Sequence, residues 1–342
     1  MAKILILGAG SMGTAFSFPC SDNGHSVSIV GSHLENDFID QIKSSKKHPA
    51  LNCEIPKNVT FSKFEKLGEE INKKVDLVAI AVISKGIEWA SEEISKVIKN
   101  NLPILILTKG LSINNNNYEV LAHKMERILK KNGIKETNIS AAGGPCLAKE
   151  LANKAHTSVV FANNDIKVVE QISKLVSTDY YRVSTSNDVI GVETCAAIKN
   201  IFSMAVGASQ GLCDSTKSKE KNYLNTAAAL IQESIYEMII FVEKLKGKKE
   251  TVIGLAGIGD LYVSADGGRN SKMGEYLGQG MKFQQAKKTK MPNITVEGAD
   301  LALEIGAKVK KDFDIKTLPL MISMIDTICE EKPLKVDWKN FK

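Results

Sequence analysis

The sequence lacks cysteine pairs at metal-site or disulfide spacing, long apolar runs and low-complexity linkers. Its six cysteines stand isolated along 342 residues, which indicates reduced, mostly buried thiols in a reducing compartment. The first apolar run covers only about four residues and passes straight into glycines, so it predicts a strand and not a signal peptide. No window approaches the roughly 18 to 20 apolar residues that cross a bilayer. We therefore expect a cytoplasmic protein without stable membrane insertion.

Excess charge and metal-ligand spacing are also missing. Lysine and arginine exceed aspartate and glutamate by only 45 to 39, and the basic residues are scattered among acidic ones. Nucleic-acid binding is therefore not expected, whereas a small anionic ligand is compatible with this charge. The five histidines lack ligand spacing, so we expect no metal site. The length suffices for two domains, each with its own core.

The first half of the chain alternates short apolar runs with amphipathic stretches. Strands are predicted at 3–7, 26–30, 77–82, 104–108, 139–142 and 157–161, with helices at 85–99 and 118–132 between them. Strands that are continuously apolar and joined through helices indicate a mostly parallel, doubly wound sheet covered on both faces. Ligands of such sheets bind beyond the carboxyl ends of the strands.

The pattern changes after about residue 190, where strand signals fade. Helical spacing appears at 192–212, 224–246, 299–309 and 318–328. The sequence therefore predicts two domains, an α/β domain over residues 1–190 and an all-α domain over residues 191–342.

A glycine-rich loop directly follows the first predicted strand. Residues 8–13 read GAGSMG, which matches GxGxxG in the strand-to-helix setting that binds dinucleotides. The first glycine permits a tight turn, the second admits the pyrophosphate, and the third lets the helix pack on the strand. This predicts an NAD(P)-binding Rossmann domain. The loop residues expected to contact the cofactor are Gly8, Gly10, Ser11, Met12 and Gly13.

The end of the second predicted strand leaves the choice between NAD and NADP open. NAD-binding domains usually carry an acidic residue there for the ribose hydroxyls. Residues 27–33 read VSIVGSH, with neither a carboxylate nor an arginine. Ser32 and His33 are the polar side chains at this position. Pro19 falls inside the helix that follows the loop, where it is expected to kink the helix or end it early.

Motifs along nearly the whole chain resemble one enzyme family. They are GAGSMGTA at the amino terminus, LTKG at 107–110, GGPCLAKEL at 143–151, STSNDVIGVETCAAIKN at 184–200, GLAGIGDLYVS at 254–264, RNSKMGEYLGQG at 269–280 and TVEG at 295–298. This combination resembles the NAD(P)-dependent sn-glycerol-3-phosphate dehydrogenases of the bacterial soluble type. The resemblance implies interconversion of dihydroxyacetone phosphate and sn-glycerol 3-phosphate for glycerophospholipid synthesis. It also implies NAD or NADP as cofactor, a small phosphorylated substrate and a homodimer formed through the helical domain.

Three residues carry the chemistry that the resemblance implies. Lys199 lies among small and apolar helical residues, where a lysine is costly to desolvate unless it has partners, and it corresponds to the catalytic acid/base. Lys109 corresponds to a second active-site lysine that contacts substrate and cofactor as a fixed cation. Asp260 is expected beside Lys199, where it tunes the charge and position of the lysine.

Further residues are assigned by the same resemblance. The substrate is expected to contact Lys109, Gly144, Cys146, Asn200, Ser264, Arg269 and Asn270. On the cofactor side, the resemblance implies Ser32, His33, Lys109, Ala148, Arg269, Thr295 and Glu297. Arginine suits phosphate because its planar fork donates two parallel hydrogen bonds.

The chain departs from the family pattern around the substrate. Gly268 and Cys146 stand where serine is usual, and Ile83 replaces a proline. Residues 219–225 and 230–234 lack the arginine that family members carry in this region. These departures leave two alternatives, a related dehydrogenase acting on another small hydroxy or keto compound and a non-catalytic dinucleotide-binding redox sensor. Retention of Lys199, Lys109, Asp260 and Arg269 argues against the sensor, which needs only the glycine loop.

Overall fold

The computed structural model describes residues 1–98, 101–213 and 223–342, and these form two compact units. The first unit comprises residues 1–109 and 120–193, and the second comprises residues 110–119 and 194–342. Residues 110–119 thus group with the carboxyl-terminal part of the chain, although the expected division at residue 190 places them with the amino-terminal part. That division into two functional domains stays a prediction.

The first unit is built on one large sheet. The strands of the described chain are β1 (Lys3–Leu7), β2 (Ser26–Val30), β3 (Lys47–His48), β4 (Cys53–Glu54), β5 (Val59–Ser62), β6 (Leu77–Ile80), β7 (Pro103–Ile106), β8 (Leu111–Asn114), β9 (Asn117–Val120), β10 (Asn138–Gly143), β11 (Thr157–Ala162) and β12 (Tyr181–Ser186). The sheet has eight strands in the order β12-β11-β10-β7-β6-β1-β2-β5. Neighbouring strands are parallel except β10 and β11, which pair antiparallel. The mostly parallel sheet predicted from the sequence is therefore confirmed.

Burial along the central strands explains this topology. Every residue of β6 is buried, and in β1 only Lys3 is exposed. A strand that is apolar at successive positions must be covered on both faces, and parallel strands joined through helices provide that cover. The carboxyl ends of β1, β2, β6 and β7 consequently share one edge of the sheet, where the glycine loop begins.

Seven helices of the described residues belong wholly to this unit. They are α1 (Ser11–Asp22), α2 (Asn36–Ser45), α3 (Leu67–Ile71), α4 (Ile87–Ser95), α5 (Leu121–Lys131), α6 (Ala148–Ala152) and α7 (Ile166–Val176). Pro19 does not end α1, which continues to Asp22. The helix predicted at 118–132 is wrong at its start, because residues 118–120 lie in β9. Lys99, the last residue of the helix predicted at 85–99, lies outside the described residues.

The second unit consists mainly of helices. After α8 (Val189–Leu212), which begins in the first unit, the described helices are α9 (Leu224–Lys244), α10 (Lys249–Val252), α11 (Asp260–Ala265), α12 (Arg269–Gly278), α13 (Phe283–Thr289), α14 (Glu297–Asp312) and α15 (Pro319–Cys329). The predicted helices at 192–212, 224–246, 299–309 and 318–328 all correspond to observed ones. A short hairpin of β8 and β9 also belongs to this unit. Of the stretch 219–225, only residues 223–225 are described.

Helix α8 is long and apolar enough to cross a bilayer, judged by length and composition alone. Its apolar 18-residue window has a mean hydropathy of 1.4, so the expectation that no segment reaches this threshold is wrong. However, 94% of that window is buried within the protein, as in the core helix of a globular fold.

Candidate active site

The glycine loop at the end of β1 has the geometry of a phosphate cradle. Gly8 has a φ of +113°, and a Cβ there would lie 2.7 Å from the backbone of Ala81. A Cβ at Gly13 would overlap the carbonyl oxygen of Gly8, whereas one at Gly10 would meet no atom within 4 Å. Only Gly10 therefore borders open space, beside the N-terminus of the 12-residue helix α1. Unpaired N–H groups at such a terminus bind phosphate oxygens, so the loop fits a dinucleotide.

The carboxylate that the sequence analysis found missing after β2 is present, and it comes from Glu35. Its Oε2 accepts hydrogen bonds from the backbone nitrogens of Ser32, at 2.7 Å, and Ala9, at 3.4 Å. His33 instead packs its ring on Trp89, with ring centroids 4.9 Å apart. Glu35 was not predicted from the sequence, because an acidic residue was expected at the end of β2 and Glu35 lies five residues after Val30, directly before α2. The signal was an acidic residue directly before the amphipathic helix α2.

Lys109 and Gly144 come together within the first unit. Lys109 follows β7, and its Nζ donates a hydrogen bond to the carbonyl oxygen of Gly144 at 3.1 Å. Gly144 has a φ of +103°, which a residue with a side chain rarely adopts. Cys146 lies two residues further on, half-buried against the core, and Ala148 begins α6. The two strand ends thus place a lysine beside the GGPC loop.

Lys199 forms a buried ion pair in the second unit. Its Nζ lies 2.9 Å from Oδ1 of Asp260, and the two side chains are only 8% and 3% exposed. The ammonium group also donates a short hydrogen bond to Oγ of Ser264. A buried lysine is tolerated when its charge is paired and its protons are hydrogen-bonded, and both conditions hold here. The cluster can hold a proton at one defined position.

A π-helical turn positions Asp260. The turn covers Leu255–Gly259 and leads directly into α11, of which Asp260 is the first residue. A Cβ at Gly257 would overlap the carbonyl oxygen of Val252, so the glycine is required by close packing of the backbone. Asp260 and Ser264 lie four residues apart on α11 and therefore face the same side.

A chain of hydrogen bonds joins the residue next to Lys199 to two other helices. Asn270 Nδ2 donates to Oδ1 of Asn200 at 3.0 Å, and the backbone nitrogen of Gly298 donates to Oδ1 of Asn270 at 2.9 Å. Both asparagines are buried. Gly298 is required for this approach, because a Cβ there would overlap the carbonyl oxygen of Asn200. These hydrogen bonds hold the starts of α12 and α14 against α8.

The neighbouring residues at these two helix starts form a second ion pair. Arg269, the first residue of α12, donates a short hydrogen bond from its guanidinium to Glu297, the first residue of α14. Both side chains are exposed, at 58% and 37%. Thr295, two residues before Glu297, lines a separate cavity of about 270 Å³ beside α13. Because its side chain is exposed, Arg269 is accessible to an anionic ligand, while one N–H group of its guanidinium is held by the carboxylate of Glu297.

Gly268, where family members usually have serine, lies against Ser264. A Cβ at position 268 would stand 2.9 Å from the carbonyl oxygen of Ser264, which is closer than real Cβ atoms come to backbone. A serine at position 268 would therefore press on Ser264. Because the hydroxyl of Ser264 accepts a hydrogen bond from Lys199, glycine at position 268 avoids a disturbance of the lysine.

The structure brings the expected site residues together in groups. Lys199, Asp260 and Ser264 form one cluster, Asn200 and Asn270 adjoin it through α8, and Arg269 pairs with Glu297. In the other unit, Lys109 meets Gly144, and Ser32 lies near the glycine loop through Glu35. Among the described residues, no group of three or more histidine, cysteine, aspartate or glutamate side chains could hold a metal ion.

Comparison with known proteins gives a consistent result. Family models described as the N-terminus and C-terminus of NAD-dependent glycerol-3-phosphate dehydrogenase match residues 3–169 and 188–337. An NADP(+)-dependent glycerol-3-phosphate dehydrogenase of Archaeoglobus fulgidus is 30% identical, covering 90% of this chain and 91% of its own. A glycerol-3-phosphate dehydrogenase [NAD(P)+] of Francisella tularensis is 32% identical, covering 90% and 88%. The crystal structure of glycerol-3-phosphate dehydrogenase from Coxiella burnetii has a TM-score of 0.81 at 26% identity, covering 97% and 96%.

Proposed function

Because this chain belongs to the NAD-dependent glycerol-3-phosphate dehydrogenase family, we propose that it interconverts dihydroxyacetone phosphate and sn-glycerol 3-phosphate. A nicotinamide cofactor, when bound, would supply or accept the hydride at C2 of the substrate. NAD or NADP fits the glycine loop, where a side chain at Gly10 would occupy the space that the pyrophosphate needs. The matching family models also favour this proposal over the two alternatives, a related dehydrogenase acting on another small hydroxy or keto compound and a non-catalytic redox sensor.

The observation that carries the proposal is the buried contact between Lys199 and Asp260. Reduction of a ketone needs a proton at the C2 oxygen, and a positioned acid typically contributes about 10²- to 10⁴-fold to such a step. Lys199 donates that proton in the reductive direction and accepts it in the oxidative one. Asp260 stabilises the ammonium form between turnovers, and Ser264 orients its Nζ. This order of events needs no metal ligand from the chain.

In this proposal Arg269 binds the phosphate, and Asn270, which the resemblance also assigns to the substrate, holds the start of α12 in place. Arg269 is exposed at the start of the ten-residue helix α12, where backbone N–H groups and the guanidinium both favour an anion. The hydrogen bond to Glu297 restricts the conformations of the Arg269 side chain, so Arg269 loses less conformational entropy when it binds the phosphate. Asn270, buried and hydrogen-bonded to Asn200, supports the position of the helix start.

Lys109 serves as the second cation of the site. Its Nζ is held by the carbonyl oxygen of Gly144, within the segment that also carries Cys146 and Ala148. A lysine ammonium held in this way suits stabilisation of negative charge on the C2 oxygen, which is the role that the resemblance implies for Lys109. We assign substrate contacts to Gly144 and Cys146, and cofactor contacts to Ser32, His33, Ala148, Thr295 and Glu297, by the resemblance alone.

Cysteine usage and the burial of helix α8 bear on the cellular setting of the enzyme. The isolated cysteines are consistent with a cytoplasmic location, in which the product would supply glycerophospholipid synthesis. Burial of the apolar helix α8 favours a protein without membrane insertion. A homodimer follows from the family resemblance.

The test is a spectrophotometric assay of NADH and NADPH oxidation with dihydroxyacetone phosphate. Unphosphorylated dihydroxyacetone and a small panel of other ketones serve as controls. We expect turnover with the phosphorylated ketone and at least tenfold lower kcat/KM with its unphosphorylated form. Equal kcat/KM for both would contradict the proposed phosphate site, and absence of turnover with every ketone would contradict the enzyme assignment.

A further inference from the structure

Glu35 lies at the place where the adenosine ribose of a dinucleotide is bound. In parallel dinucleotide-binding sheets, the ribose hydroxyls lie between the glycine loop and the end of the second strand. The carboxylate of Glu35 bridges these two elements, since it accepts from Ala9 in the loop and from Ser32 just beyond β2. Glu35 lies five residues after β2 ends at Val30 and directly before α2. Its side chain therefore returns from the start of the helix to the end of the strand.

The second oxygen of this carboxylate is available to a ligand. Both hydrogen bonds of Glu35 use Oε2, and Oε1 makes none with the described residues. A carboxylate oxygen accepts hydrogen bonds and does not donate them, so it pairs with a hydroxyl and repels a phosphate. The 2′-hydroxyl of NAD suits this oxygen, whereas the 2′-phosphate of NADP would bring about two negative charges beside it.

The segment that carries this site contains no arginine that could offset that repulsion. The chain has three arginines, at positions 127, 182 and 269, and none lies in the segment from β1 to α4. In the same segment, Lys63 pairs with Asp40 and Lys66 with Glu69, so these cations are engaged elsewhere.

His48 is a neutral neighbour of this site. Its Nδ1 accepts hydrogen bonds from the backbone nitrogens of Ala50 and Leu51, so the neutral ring carries its proton on Nε2. Burial lowers the pKa of His48, although the Ala9 backbone and the charge of Glu35 partly raise it. The imidazole thus lies close to Glu35 and the glycine loop without adding a cation for a phosphate. Its buried Nε2 has no hydrogen-bond partner among the described residues.

We propose that Glu35 binds the adenosine ribose diol and makes this enzyme select NADH over NADPH. The inference rests on the proposed function, because it presumes that a nicotinamide dinucleotide occupies the glycine loop. The Archaeoglobus relative is named NADP(+)-dependent and the Francisella relative carries NAD(P)+ in its name, so preference for NADH in this chain would come from its own residues. A hydrogen bond from the ribose hydroxyl to the charged carboxylate, together with the absence of phosphate repulsion, should make NADH bind roughly ten- to hundredfold more tightly than NADPH.

The experiment measures the dissociation constants of NADH and NADPH by nicotinamide fluorescence, without substrate. Wild-type protein is compared with Glu35→Gln, which removes the charge at nearly constant size, and with Asp37→Asn. The latter removes an exposed carboxylate two residues away, in the first turn of α2. Competition by 5′-AMP and by adenosine 2′,5′-bisphosphate isolates the adenosine end of the site.

We expect wild-type protein and Asp37→Asn to bind NADH at least tenfold more tightly than NADPH, and 5′-AMP more tightly than the bisphosphate. In Glu35→Gln the NADH to NADPH ratio should fall to within about threefold. Equal affinities in the wild type, or an unchanged ratio in a Glu35→Gln variant with native circular dichroism, would overturn the inference while leaving the function intact. Failure of the wild type to bind either dinucleotide would overturn the proposed function as well.

Discussion

Asp260 Oδ1 lies 2.9 Å from Lys199 Nζ, and both side chains are more than nine-tenths buried. Each charge is therefore tolerated only because the other is present, since an unpaired buried charge costs several kcal/mol, roughly 3 to 5 when one partner of a pair is removed. The contact that makes the two buried charges tolerable also keeps an ammonium group in place for the proposed proton transfer. Stability and catalysis must be separated by the choice of variant.

Lys199→Met should lower kcat by about 10²- to 10⁴-fold, because no other group then delivers the proton to the C2 oxygen. The dissociation constant of NADH should stay within about threefold. Since Asp260 is left unpaired in this variant, the double variant Lys199→Met/Asp260→Asn is needed as a folding control. It should regain the melting temperature and not the activity. Turnover near the wild-type rate in either variant would exclude Lys199 as the acid.

Asp260→Asn should lower kcat by at least about tenfold and move the alkaline limb of the kcat–pH profile for ketone reduction to lower pH. A neighbouring negative charge favours the protonated lysine, so its removal makes the ammonium lose its proton at a lower pH. The exposed Asp266→Asn, on the same segment, is the matched control. A lower kcat with an unmoved profile would instead indicate a purely structural role for Asp260.

Gly10→Ala and Gly13→Ala should fail in different ways. A methyl group at Gly10 meets open space, so the melting temperature should be unchanged while the dissociation constant of NADH rises at least tenfold. A methyl group at Gly13 overlaps the Gly8 carbonyl, and such overpacking destabilises by about 1–3 kcal/mol or more. Thermal unfolding and fluorescence titration measure both quantities. An unchanged NADH affinity in Gly10→Ala would place the pyrophosphate elsewhere.

Gly268→Ser restores the residue that is usual in the family, yet we expect it to lower kcat by about tenfold. Serine is a good N-cap for α12, but its Cβ would press on the carbonyl of Ser264 and move the hydroxyl that holds Lys199. Asp266→Ser is the control for a serine introduced nearby on the surface. A lower KM for dihydroxyacetone phosphate with unchanged kcat would show that the missing hydroxyl matters more than the close contact.

Glu193→Gln should flatten the dependence of stability on pH. Burial raises the pKa of Glu193 to about 8, although backbone N–H groups of Ala122 and Leu121 partly lower it. A raised pKa in the folded state means that the contribution of this group to stability is complete below its unfolded pKa, near 4.3, and is lost as the pH rises through about 8. The free energy of unfolding should therefore fall between pH 5 and 8, by at most about 1.4 kcal/mol per pH unit for this group.

Denaturant unfolding at pH 5, 6.5 and 8 measures that slope for the wild type and for Glu193→Gln. The exposed Glu92→Gln is the control for a surface carboxylate. The same slope in Glu193→Gln and in the wild type would mean that the buried carboxylate keeps its charge throughout this range.

The parts of the fold that the sequence predicted are those that one physical rule determines. Strands β1 and β2 begin and end at the predicted residues, because each is a short segment with buried apolar residues that is bounded by polar or glycine residues. Helix α8 was predicted to within three residues at its start for the same reason. The family motifs also led to Lys199, Asp260 and Ser264, which the structure places in contact, while their roles stay predictions.

Other parts depend on contacts that no local pattern encodes. The β8–β9 hairpin turns at Asn115 and Asn116, which both have positive φ, but its strands are short and partly polar, and their packing on the second unit makes them strands. Glu35 was not predicted because its carboxylate returns from the start of α2 to the end of β2, where the sequence pattern leads one to expect an acidic residue of the strand itself.

The hydrogen bonds that join Asn200, Asn270 and Gly298 have a consequence for how this enzyme can change its substrate. Arg269 and Asn270 are adjacent in α12, and Asn200 follows Lys199 directly in α8. Any substitution that shifts the start of α12 to accommodate a different anionic group therefore also displaces the proton donor. A change of substrate specificity is therefore expected to arise by substitution of Glu297, which holds Arg269. Such a substitution leaves Asn200 and Asn270 in place, and with them Lys199.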